Sequence, residues 1–156
     1  MTGVYGLRLA YRGFVTGLAA GYAWLATAML LATLLERDAL SPLRPFVAAV
    51  LPRADEPDAS AFVLGFALVQ LASAFLGTAF AYFFGRFFTV RATVAIAAPC
   101  FAILAWALVA AAMAARAGDP GFGLAAAPLV GTLAWGILLG AGVPLRGEVV
   151  REPNPA

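Results

Sequence analysis

Few residues in this chain could do chemistry. Asp55, Glu56 and Asp58 put three carboxylates into the six residues 53–58, and oxygen ligands that close together could hold a hard divalent cation such as calcium. The cluster lacks the glycine turn and fixed ligand spacing of a dedicated cation loop. It also precedes an apolar run, where acidic residues complement the positive end of a helix dipole, so a solvated helix entry is expected there and no metal site. Histidine and lysine are absent, and Cys100 is the single cysteine. That excludes haem ligation by histidine, Schiff-base chemistry on lysine and the usual zinc sites. No serine or cysteine has a histidine base, and no phosphate-binding loop is present. Catalytic, cofactor and metal sites are therefore not expected, and Cys100 can form no disulfide within the chain.

The remaining candidates must be positioned by elements that suit a very apolar chain. Of its 156 residues, 63% are hydrophobic and 12% charged, with a mean hydropathy of +0.93. A soluble domain is about half apolar and about a quarter charged, so the excess has to face lipid. Four stretches, 13–35, 59–84, 93–115 and 122–143, contain no charged side chain and are long enough for a bilayer core of about 30 Å. All 18 ionisable acids and bases fall outside them. Without the alternation of a membrane β-strand, only helices satisfy the backbone in lipid. The predicted fold is an all-α four-transmembrane-helix antiparallel bundle spanning 13–143, with tails at 1–12 and 144–156. The first run is too long for a signal h-region and reads as a retained anchor.

Arginine counts predict the orientation, because cytoplasmic segments keep the basic residues. Arg8, Arg12, Arg86, Arg91, Arg146 and Arg151 fall on one side, against Arg37, Arg44, Arg53 and Arg116 on the other. Both termini are thus expected in the cytoplasm of a multi-pass cell-membrane protein. The formal charge of +2 follows from these juxtamembrane arginines and their lipid headgroups, so nucleic acid is not an expected partner. In the first loop, Leu40 to Pro52 is apolar and bounded by prolines, with Pro45 suited to a first helical turn. A short helix on the outer interface is expected, serving as a connector, a lid or a docking surface.

Small residues recur every four positions in three of the spans: Gly13, Gly17 and Gly21; Ser73, Gly77, Ala81 and Gly85; Gly136 and Gly140. Such seams let helix backbones approach closely where no hydrophobic effect drives helices together. They can serve packing within the chain or against another subunit. Trp24, Trp106 and Trp135 fall near the middle of their spans, where they either line a pocket for an apolar molecule or pack with their N–H groups bonded. Gln70 is the one carboxamide inside a span, with Thr27, Thr33, Ser73, Thr78 and Thr132 as possible hydroxyl partners. An interhelical hydrogen bond is its expected role. Tyr82, Phe83, Phe84, Phe87 and Phe88 around Arg86 read as an interfacial aromatic belt.

The segment Phe14-Val15-Thr16-Gly17 through Gly21 and Trp24, the run Ala81-Tyr82-Phe83-Phe84-Gly85-Arg86-Phe87, Trp106, and Gly136-Ile137-Leu138-Leu139-Gly140 together resemble the YqhR-type family of small four-span bacterial membrane proteins. This chain lacks the extended polar N-terminus of that pattern. The resemblance implies a bacterial cytoplasmic membrane and supplies no activity. The expected function is non-enzymatic: an accessory or assembly subunit of a membrane complex, or a homo-oligomer, packing through the small-residue seams, with lipids and other membrane subunits as partners. A carrier or channel for an apolar or neutral molecule is the alternative, and a lipid-modifying enzyme using the acidic cluster is the third. The orientation is checked by fusing a reporter active only outside the cytoplasm to either end. Both fusions should be inactive, and activity at both ends would overturn the assignment.

Overall fold

The computed structural model describes residues 2–35, 38–50, 59–117 and 125–145. Every regular element among them is helical: α1 (Thr2–Leu35), α2 (Arg44–Val50), α3 (Ala59–Phe84) with a 3-10 turn (Gly85–Phe87), α4 (Arg91–Ala117) and α5 (Ala126–Gly142). Three stretches, Tyr5–Leu35, Phe62–Phe87 and Arg91–Ala115, are long and apolar enough to cross a membrane. The remaining apolar helix, α5, is shorter, at 17 residues, or about 25 Å at 1.5 Å per residue. Among the described residues the chain is all-helical, with three long apolar helices and a shorter apolar one, the make-up of a helical membrane protein.

Two boundaries depart from the expected spans. Helix α1 begins at Thr2, well before residue 13. Hydropathy marks where a helix becomes apolar and not where it starts, and Arg8 and Arg12 are good helix formers. Helix α5 begins at Ala126, with Ala125 extended before it, although the apolar run starts at 122. Pro128 occupies the first turn of α5, where its missing N–H forfeits no helical bond. At the other end Arg91 Nη1 donates to Val143 O at 2.7 Å, so the first residue of α4 satisfies a carbonyl left over at the end of α5.

Glycine sets the packing. Gly13 faces Gly77 and Ala81, Gly17 faces Ser73 and Gly77, and Gly21 faces Gln70 and Ser73, so the register descends along α3 as it rises along α1. A Cβ on Gly77 would lie 2.6 Å from both Gly13 O and Gly17 Cα, closer than any real Cβ sits to another backbone. On the next seam Gly136 meets Ala102 Cβ and Pro99 Cα, each 2.8 Å from where its Cβ would be, while Gly140 meets Ala98 and Val94 of α4. Gly131 lies over Trp24 O and Ala28 of α1, and Gly142 over Thr16. Helix α1 is thus clasped between α3 and α5, and α5 is clasped by α4. Helices α3 and α4 barely meet through their backbones, although only a short connection joins them.

The short helix in the first loop forms where expected, but its apolar face is covered by protein and not left to headgroups. Leu43 and Val47 are buried against Gly65 of α3, where a Cβ would stand 3.3 Å from Leu43 Cβ and 3.1 Å from Val47 Cγ2. Phe46 presents its ring edge-on to Trp24 at 5.9 Å. Since α2 touches both α3 and α4, it wedges into the space those two helices leave between them. Asp38 holds the entry, bonding Leu40 N at 3.0 Å and Arg44 Nη2 at 2.7 Å.

Alanine in place of an interior helical glycine gains roughly 1 kcal/mol from propensity alone. Gly77→Ala should nevertheless lower the thermal midpoint in detergent, because overpacking against backbone costs about 1–3 kcal/mol. Gly6→Ala meets only the ring edge of Tyr82 at 3.3 Å and should be neutral or stabilising. A stabilised Gly77→Ala would show that the α1–α3 seam is looser than described.

Candidate functional site

The gap between α3 and α4 is closed from three directions by side chains. Toward one end, Phe80, Phe84, Phe88 and Phe101 form a run of rings, with centroids 5.1 Å apart for Phe80–Phe101 and 5.7 Å for Phe80–Phe88. Phe101 continues onto Trp135, stacked at 6.3 Å. Toward the other end sits α2. At the back is α1, where Trp24 lies 6.0 Å from Trp106. Between these walls a small cavity of about 60 Å³ remains.

The three tryptophans that the sequence places near mid-span all line this cavity, together with Ser73 and Thr132. Its buried walls are Trp24, Val69, Ser73, Ala102, Trp106, Thr132 and Trp135, whereas Ala72, Leu76, Ala105 and Val109 are exposed or half-buried. Those four belong to α3 and α4, so the cavity opens sideways between these helices. Its lining carries no charged side chain.

The polar groups around the cavity are unequally satisfied. Trp24 Nε1 donates to Thr132 Oγ1 at 3.2 Å, and Thr132 donates to Pro128 O at 2.8 Å. Thr78 and Thr33 likewise donate to carbonyls one turn back, Ala74 O and Met29 O, both at 2.7 Å. Each of these hydroxyls gives its proton to its own helix, and none of them bonds Gln70. The Gln70 carboxamide is buried against Gly21, and neither its Oε1 nor its Nε2 finds a hydrogen-bond partner. The expected interhelical bond from Gln70 is therefore not formed. Trp135 Nε1 is also buried and unpartnered.

Gly13, Gly17, Gly21, Ser73, Gly77, Ala81, Gly136 and Gly140 all pack within the chain. The aromatic belt divides. Tyr82, Phe83 and Phe87 point outward, with Arg86 4.9 Å above the Phe87 ring, but Phe88 is buried in the internal run of rings. Phe46, Phe80 and Phe101 were not singled out by sequence reasoning. The four-residue spacing of Phe80, Phe84 and Phe88 was the available signal, masked by the 3-10 turn that interrupts it. Asp55, Glu56 and Asp58 lie outside the described residues.

No protein family, curated protein or solved structure matches this chain.

Replacing Thr132 by Val keeps the volume but removes the acceptor for Trp24, leaving a buried N–H whose desolvation costs about 1–3 kcal/mol. Thermal melting in detergent should show a clear loss for Thr132→Val and almost none for Thr33→Val, whose hydroxyl bond is exposed. Equal effects would remove Thr132 as the polar anchor of the cavity.

Proposed function

We infer that this is a non-enzymatic four-span protein of a cell membrane, an antiparallel bundle with both termini cytoplasmic, that takes up an apolar or neutral molecule in its mid-membrane cavity. The observation that carries the reading is the uncharged, ring-lined cavity opening sideways between α3 and α4. Small-molecule sites are mostly apolar with a small number of polar groups, which is the make-up of this lining. A side opening at mid-helix faces hydrocarbon and not water, so the ligand is a membrane-dissolved molecule that the protein holds or hands on.

The alternative, an assembly subunit docking through small-residue seams, draws less support because those residues contact one another inside the chain. A partner would have to use the outward faces, such as Leu71 and Phe75 of α3 or Leu104 and Leu108 of α4, which lipid covers equally well. The likeness to the YqhR-type family fits a bacterial cytoplasmic membrane and is neutral between the two functions.

Extraction from native membrane in a gentle detergent, followed by native mass spectrometry, separates them. The cavity reading predicts the chain with a small apolar adduct that collisional activation strips off. A second protein in fixed stoichiometry, with no such adduct, would favour the subunit.

A further inference from the structure

The size of the cavity limits what it can take. An apolar cavity of about 150 Å³ holds a benzene molecule. At about 60 Å³ this one has room, on the same scale, for about two or three carbon atoms. A lipid-soluble molecule of ordinary size does not fit inside it whole. Water is a poor occupant as well, because an ordered buried water makes about three hydrogen bonds. Ser73 and Thr132 carry the only hydroxyls on the lining, and that of Thr132 already bonds Pro128 O and Trp24 Nε1.

Its depth determines what reaches it. The mouth lies between Ala72 of α3, which is exposed, and Ala105 of α4, which is half-buried, with Ser73 and Trp106 buried behind them. Neither alanine has a side chain beyond Cβ to close the opening. Each stands about 18–21 Å from both ends of its helix, α3 (Ala59–Phe84) or α4 (Arg91–Ala117), at 1.5 Å per residue. For helices crossing a hydrocarbon core about 30 Å thick, that level is the bilayer midplane, where the acyl chains of the two leaflets end. The group that meets the mouth is therefore a terminal methyl with the methylene behind it, which is the size of the space. Inside, uncharged walls and the rings of Trp24 and Trp106 give such a chain end dispersion contacts on several sides at once.

We propose that the cavity is a socket for the methyl end of a membrane lipid's acyl chain. The tip enters between Ala72 and Ala105 and rests against Ser73 and Trp106, while the rest of the chain and the head group stay outside the bundle. This rests on the cavity reading given above and narrows its ligand to a chain end. The protein then holds a lipid by its tail and not by its head group.

Photoreactive lipids test it. The full chain is reconstituted in nanodiscs of phosphatidylcholine doped with phosphatidylcholine whose palmitoyl chain carries a diazirine, either at the penultimate carbon or at mid-chain. Insertion after illumination is mapped by mass spectrometry. The chain-end label should mark buried Ser73 and Trp106 at levels approaching those of outward-facing Leu71 and Leu108, and the mid-chain label should leave Ser73 and Trp106 unmarked. Ala72→Phe and Ala105→Phe each place a ring in the mouth. Either should lower the chain-end marking of Ser73 and Trp106 to the level of buried Ala28 without changing Leu108, so the test stands if one of them does not fold. In parallel, dissolved xenon, which apolar cavities bind, should shift the indole resonances of Trp24 and Trp106 saturably.

Chain-end marking confined to outward residues, with xenon still shifting the indole resonances, would overturn the proposal and leave the cavity reading standing. Equal marking of Ser73 and Trp106 by the two labels would also overturn it, since the chain would then lie across the cavity and not end in it. No marking of the walls and no saturable xenon shift would overturn the cavity reading itself.

Discussion

The structure depends on how closely α1 and α3 approach. In lipid, helices gain nothing from excluding water between them, so association rests on dispersion and on backbone contact, which require small residues at the crossing. Gly13, Gly17 and Gly77 bring two backbones to a distance that no side chain permits. Gly136 and Gly140 do the same between α5 and α4, and Gly131 and Gly142 between α5 and α1. Four helices joined by three tight seams form an open arc, and its ends, α3 and α4, are held apart by what lies between them. Phe80, Phe101 and Trp106 are too large for a seam. The wedge of α2 and the cavity are consequences of that mismatch in side-chain size.

The polar economy of the interior follows from the same scarcity. With no acidic or basic residue inside 13–35, 59–84, 93–115 and 122–143, the hydroxyls of Thr33, Thr78 and Thr132 turn back onto their own helices. The Gln70 carboxamide bonds none of them and stays buried and unpaired beside Gly21. Thr132 is the exception that couples two helices, because its oxygen also accepts from Trp24 on α1. The N–H of Trp135 and the carboxamide of Gln70 stay buried without a partner.

Much of this was legible in the sequence. Charge-free runs announced the helices and four-residue glycine spacing the seams, while the three midspan tryptophans left open whether they line a pocket or only pack; they border the cavity. The proline-bounded segment in the first loop gave a helix in the right place, but periodicity could not say that Leu43 and Val47 would insert beside Gly65. The short connection between α3 and α4 does not bring them into close contact, because adjacency depends on the residues at the interface, and Phe80, Phe84 and Phe101 are too large for a close crossing. Gln70 looked well supplied with hydroxyl partners. Only the geometry reveals that its carboxamide, buried beside Gly21, bonds none of them.

The central claim is that α3 and α4 form a cleft reached from the hydrocarbon while the other three seams are closed. An apolar reagent dissolved in the bilayer, converted by light to a carbene and mapped residue by residue by mass spectrometry, tests it directly. Insertion at the buried residues Ser73, Trp106 and Trp135, at levels approaching those of outward-facing Leu71 and Leu104, is the predicted pattern, with Gly17, Ala28 and Gly77 protected. Insertion confined to the outward faces, with Ser73 and Trp106 as protected as Ala28, would contradict it.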